Sequence, residues 1–198
     1  RMVIKPDWNI PPIAGPDGQD HIVYVEPVVK RDFGDLLHFR VARREPIARK
    51  ILLVAPMSGH YATLLRGTVE RMLPGHDVWI TDWRDARNVP LEAGKFDLDD
   101  YVDYLISWLE HIGPGAHMLA VCQPSVPSLA AAAVMAANKH ECRPKTLTMM
   151  GGPIDTRKAP TAVNEHAMTR PHAWFQENVI VTVPAWYPGA GRRVYPGF

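Results

Sequence analysis

Apolar positions in the middle of this chain follow two alternating rhythms. The segment 21–29 (HIVYVEPVV) has strand composition, Arg31–Asp35 reads as a turn, and Leu36–Ala42 reads as a second strand, which together predict a hairpin. Ile51–Ala55 is a short, wholly apolar run ending at Pro56, the pattern of a strand buried on both faces. Tyr61–Leu73 then takes a helical period, with Leu65, Val69, Met72 and Leu73 on one side and Pro74-Gly75 as the stop. Asp77–Asp82 is the next strand, and Trp83–Lys95 a loop. The clearest helix is Leu98–Ile112: Leu98, Tyr101, Val102, Leu105, Leu109 and Ile112 repeat at helical spacing, acidic residues open it, and Gly113-Pro114-Gly115 ends it. His117–Val121 predicts another buried strand, Ser125–Lys139 an Ala-rich helix, and Thr146–Met150 a strand ending at Gly151-Gly152-Pro153. Residues 1–20 read as an extended lead-in. Residues 156–198 read as irregular, with Trp174, Phe175, Trp186, Tyr187 and Tyr195 set among prolines.

Strand–helix alternation over 51–150 predicts an α/β fold: a mostly parallel sheet with helices on both faces and an antiparallel N-terminal edge. Ligands in such sheets bind beyond the carboxyl ends of the strands. The segments expected there are Met57–His60, Asp82–Arg87, Cys122–Pro124 and Gly151–Asp155.

Composition narrows the function. The chain has 198 residues, 46% of them hydrophobic, enough for one domain with a core. Its 22 basic and 21 acidic residues nearly cancel, so no nucleic-acid footprint is written in the charge. The longest apolar run, Leu129–Ala137, falls far short of the ~18 residues of a membrane span. The opening Arg1–Pro6 is too briefly apolar for a signal peptide, and without an initiator Met it leaves room for polypeptide upstream. Two cysteines, Cys122 and Cys142, exclude a disulfide scaffold and a four-cysteine zinc site and favour a cytoplasmic setting. The nine His are scattered singly, so neither metal nor cofactor is expected.

Cys122 stands at a strand-to-helix junction, where a side chain projects toward solvent beside a helix N-terminus. That is the geometry of a nucleophile elbow, and the helix dipole there favours thiolate. The backbone N–H of Gln123 would face a substrate oxyanion, with a second N–H, assigned to Ser58, from the loop after Ile51–Ala55. The elbow reads Ala120-Val121-Cys122-Gln123-Pro124, with Ala and Pro where small residues are usual; proline suits the first helical position. The alternative reading of Cys122 is a buried small hydrophobe.

VCQPSVP (121–127), TDWRDARNVPL (81–91), APMSGHYATLLRGTVE (55–70) and MMGGPID (149–155) resemble the intracellular polyhydroxybutyrate depolymerases. The resemblance runs from about residue 20 to the end. It implies an α/β-hydrolase with cysteine as nucleophile, Cys122 at that position, and hydrolysis of stored poly(3-hydroxybutyrate) on cytoplasmic granules, releasing monomers or oligomers. It further implies residues 1–155 as the N-terminal part of the hydrolase core and 156–198 as the start of a cap insertion. In that family the triad's Asp and His follow later strands, so the fold is expected to be cut before its last strands, with the remainder of the same protein supplying both groups. The 198 residues alone are then expected to be inactive. A homo-oligomer is compatible with the sequence.

Local substitutes for the missing base and acid have ordinary readings as well. Asp155 reads as a turn residue after Gly-Gly-Pro. His60, beside the oxyanion loop, is placed either to contact substrate or to serve as a hydrogen-bonded structural histidine. His166 and His172 read as solvated, and Asp82 and Asp85 as part of a loop held by Arg84–carboxylate pairs. The aromatics of 174–195 suit an apolar polyester or the packing of a cap. Two rival functions remain: a synthase-like acyltransferase using coenzyme A thioesters, against which Ala120 and Pro124 speak, and a non-catalytic granule-binding fragment.

Overall fold

The computed structural model describes residues 4–15, 17–42, 47–57 and 60–196. Six strands form the central sheet: β1 (Val23–Lys30), β2 (Gly34–Val41), β3 (Lys50–Val54), β4 (Asp77–Trp83), β5 (His117–Val121) and β6 (Leu147–Met150). Their spatial order is β1-β2-β4-β3-β5-β6. β1 and β2 form the expected hairpin, and β2 runs antiparallel to β4. From β4 onward every neighbouring pair is parallel. Pro27, which has no N–H for a ladder, sits in edge strand β1, where the register shifts between Pro27 and Val29.

The helices are α1 (Arg66–Met72), α2 (Leu98–Ile112), α3 (Ser125–Ala137), α4 (Ala162–Met168) and α5 (His172–Asn178). Side-chain alternation along the buried strands divides the core in two. Leu52 and Val54 of β3 face one layer with the buried residues of α2 and Ala131 and Met135 of α3. Ile51 and Leu53 face the other, with Leu65, Val69 and Leu73 around α1. Helices therefore cover both faces, as the alternation predicts.

α2 matches its predicted bounds. Asp97 caps it, accepting from the amides of Asp99 at 3.1 Å and Asp100 at 3.4 Å, while Asp100 accepts from the Asp97 amide at 2.8 Å. Its buried face differs in part from the predicted one. Leu98 is exposed, and the bulk comes from Tyr101, Tyr104, Leu105 and Trp108, the last packed on Trp83 with ring centroids 5.2 Å apart.

Three expectations are corrected. The predicted helix Tyr61–Leu73 splits into a 3-10 turn, Ala62–Leu65, followed by α1. The lead-in is not merely extended: Ile13–Ala14 pairs with Asp20–His21, and buried Trp8 packs edge-on against Phe39 with centroids 4.9 Å apart. Residues 156–198 are more regular than their prolines suggest. Thr161 and Asn164 form a reciprocal cap at the start of α4, Pro171 immediately precedes α5, and Val181–Thr182 pairs with Arg193–Val194. The prolines stand at the boundaries of these short elements, where a missing N–H costs nothing.

Candidate active site

Of the segments expected at the ligand-binding edge, Asp82–Arg87 begins in the last two residues of β4, and Cys122–Pro124 and Gly151–Asp155 follow the carboxyl ends of β5 and β6; of Met57–His60, residues 58 and 59 lie outside the described residues. β5 is flanked by β3 and β6, and its last ladder contact sets Val121 opposite Met150. The chain then turns sharply. Cys122 adopts φ +67°, a left-handed conformation rare for a residue with a side chain. Its amide still reaches the sheet, donating to Met150 O at 2.7 Å. Its carbonyl accepts from the Ser125 amide at 3.0 Å, which starts the helical turn into α3. Cys122 is therefore a free, exposed thiol on a strand–turn–helix corner. This is the geometry of a nucleophile elbow, in which backbone strain holds the side chain clear of the sheet.

Pro124 occupies the N-cap of α3 with φ −55° and is buried. At that position its missing N–H removes no helical hydrogen bond, so a proline in place of the usual small residue is accommodated. Ala120, two residues before Cys122, is fully buried in the layer against α2 and α3. Gln123 follows Cys122 and is exposed, and its carbonyl accepts from the Val126 amide at 3.2 Å.

The second expected oxyanion donor, Ser58, lies outside the described residues. His60 is exposed, just before the 3-10 turn that leads into α1. His166 and His172 are engaged by neighbours close in the chain. His166 packs edge-on against Trp174 and Phe175, with centroids 6.1 and 5.8 Å away, and His172 Nε2 lies 3.3 Å from Gln176 Nε2. Asp155 is bound by Arg157, whose Nε and Nη2 donate to its two oxygens at 2.8 and 3.0 Å; that guanidinium holds the carboxyl below its ordinary value. It is a turn residue, in line with its ordinary reading.

The Asp82–Arg87 segment is held by ion pairs, an Arg84–carboxylate pair among them as expected. Arg84 Nη2 donates to Asp35 of β2 at 2.7 Å, and Asp85 pairs with Arg87. Asp82 is buried and is bound by Lys5 of the N-terminal segment. Burial pushes the Asp82 carboxyl up despite that ammonium. The aromatics of 174–195 do not form a packed core of their own: Trp186 and Tyr195 are exposed, and Tyr187 lies under the Arg87 guanidinium, 5.4 Å from ring centroid to Cζ.

One contributor to the elbow escaped the sequence reading. Gly152, two residues past β6, lies directly against the start of α3. The signal available was the Gly151-Gly152 pair after a buried strand, but glycine pairs equally mark plain turns.

Residues 151–198 match the family model described as PHB de-polymerase C-terminus. Over these 48 of its 198 residues the chain is similar to that family. Naproxen esterase from Bacillus subtilis superposes with a TM-score of 0.51 at 13% identity, over 75% of this chain and 48% of that one. A hypothetical protein from Pseudomonas aeruginosa superposes with a TM-score of 0.52 at 12% identity, over 85% of this chain and 56% of that one. At such identities the likeness is one of fold. The chain spans about half the length of these structures. A comparison with curated proteins gave no match. Among the described residues, no helix is long and apolar enough to cross a membrane, and no cluster of His, Cys, Asp and Glu is arranged to hold a metal ion.

Proposed function

We propose that this chain carries the nucleophile of a thiol-dependent poly(3-hydroxybutyrate) depolymerase acting on cytoplasmic storage granules. The observation that bears most weight is the exposed Cys122 at φ +67° between β5 and α3, in a chain whose residues 151–198 match a depolymerase family. The Cys122 thiolate attacks an ester carbonyl, and the negative charge on the carbonyl oxygen is met by the Gln123 amide and a second amide assigned to Ser58. Collapse of that adduct breaks the C–O bond. The departing alkoxide takes a proton and leaves as the shortened polymer, and the acyl group stays on sulfur as a thioester. Water then cleaves the thioester, releasing a hydroxyacid or oligomer and restoring the thiol.

The general base and its orienting acid are assigned to polypeptide outside these 198 residues. His166, His172 and Asp155 have other partners here, and this chain covers only 48% and 56% of the two matched structures. His60 is assigned to substrate contact. In this reading residues 1–155 are hydrolase core and residues 156–198 begin a cap that shields the acyl-enzyme from untimely water.

The test is a turbidity assay of the full-length enzyme on amorphous and crystalline poly(3-hydroxybutyrate) granules, beside the Cys122→Ala variant. Clearing of amorphous granules that is lost with Cys122 supports the reading. Clearing of crystalline polymer at an equal or faster rate overturns it, as does activity confined to simple soluble esters. Transfer from a coenzyme A thioester without hydrolysis would instead mark a synthase-like acyltransferase.

A further inference from the structure

The Gly151–Gly152 turn after β6 touches the elbow on two sides. Met150, the last residue of β6, accepts the Cys122 amide at 2.7 Å and so fixes the first bond of the turn. Gly151 follows at φ +64°, which reverses the chain toward α3. Gly152 then comes so close that a Cβ there would stand 2.1 Å from both Cβ and Oγ of Ser125 and 2.9 Å from Cys122 O. Real side chains do not approach so closely, so this contact admits glycine alone. Ser125 has no space to retreat, being the fully buried first residue of α3. Its hydroxyl also lacks a hydrogen-bond partner among the described residues. The Ser125 amide meanwhile holds Cys122 O at 3.0 Å. Gly152, Ser125 and the peptide of Cys122 thus form one packed unit, and displacing any member turns the peptide that aims the thiol.

We propose that Gly152 is a positioning residue for Cys122: its missing side chain lets β6 seat against the start of α3 and holds the Cys122 peptide in its left-handed conformation. This rests on the reading of Cys122 as nucleophile. Placing an attacking atom even about 1 Å off can cost on the order of 100-fold in rate. The effect belongs in kcat, because the substrate-binding surface is not what moves.

The test uses the full-length enzyme with hydroxybutyrate oligomers as substrate. Gly152→Ala should lower kcat at least tenfold with KM within about threefold. The alkylation rate of Cys122 by iodoacetamide should change in parallel, and that readout needs no turnover. Ser125→Gly combined with Gly152→Ala removes both 2.1 Å overlaps and leaves the 2.9 Å approach to Cys122 O, so it should restore part of the lost kcat and of the wild-type alkylation rate. If Gly152→Ala does not fold, a folded and active double variant supports the same contact. Wild-type kcat in Gly152→Ala overturns the proposal, as do failure of the double variant to recover and an unchanged alkylation rate. Should Cys122→Ala retain turnover while alkylation of Cys122 still responds to Gly152→Ala, the nucleophile assignment fails and the packing relationship stands.

Discussion

Arg192 Nη1 donates a 2.6 Å hydrogen bond to the carbonyl of Gly94, 98 positions earlier in the chain. The same buried guanidinium donates to Pro90 O at 2.5 Å and Val89 O at 3.2 Å, and its face lies 5.0 Å from the Phe33 ring centroid. Beside it the Gly189 amide donates to Arg87 O at 2.8 Å, and a Cβ on Gly189 would stand 2.7 Å from Val89 O. The 189–192 turn is in this way stapled to the loop that follows β4.

Arg192→Ala leaves three carbonyls without their donor, and each hydrogen bond to a charged group is worth about 1.5–3 kcal/mol. Some carbonyls will recover water, so a loss of about 3 kcal/mol is expected. It should appear as a lower Tm and as faster proteolysis between residues 155 and 161. Gly189→Ala should act in the same direction. Unchanged proteolysis in both variants would show that the staple does not hold this segment.

The two cysteines should respond differently to a thiol reagent. Cys122 is exposed, whereas Cys142 is buried and burial pushes its thiol up, keeping it protonated and unreactive. One equivalent of label is expected at pH 7.5 on the folded protein, located at Cys122 by peptide mass, with the second appearing only in denaturant. Cys122→Ala should abolish turnover, Cys122→Ser should leave little, and Cys142→Ser should leave nearly all of it. Rapid labelling of both sites would contradict the burial of Cys142.

Asp82 makes a testable contribution to pH dependence. Its folded-state carboxyl is raised above the ordinary value of 3.8, chiefly by burial, so the folded protein takes up this proton more readily than the unfolded chain does. The contribution of this group to stability therefore grows as pH falls from neutrality toward 3.8, and fades as pH rises through the raised value. Asp155 and Asp97, held low by Arg157 and Lys95, slope the other way, which is why the comparison must be between variants. Asp82→Asn should be at least as stable as the parent at pH 7 and lose its advantage toward pH 4, with Lys5, itself half exposed, returning to water. Parallel Tm-against-pH curves for the two proteins would exclude this.

Trp108 is the largest fully buried side chain among the described residues, packed from α2 onto Trp83. Its indole nitrogen has no hydrogen-bond partner among the described residues, so Trp108→Ala removes apolar packing and no described hydrogen bond. A loss of about 3–5 kcal/mol is expected in denaturant titration. A loss below about 1 kcal/mol would mean that the layer between α2 and the sheet collapses readily around the gap.

The sequence by itself determined those elements whose signal is local. The apolar run of β3, the helical period and acidic cap of α2, and the strand–junction–helix order around Cys122 are all set by neighbours within one or two turns of chain. Residues 156–198 were harder to read, because prolines that bound short helices look the same in sequence as prolines that forbid them. In α2, periodicity alone placed Leu98 on the buried face, and only packing showed that Tyr104 and Trp108 carry that layer while Leu98 meets solvent. The order β1-β2-β4-β3-β5-β6, the closure of Gly152 on Ser125 and the hold of Arg192 on Gly94 were decided by tertiary structure. Each joins residues distant along the chain, and their meeting depends on how layers of sheet and helix fill space rather than on any preference written in the neighbouring sequence.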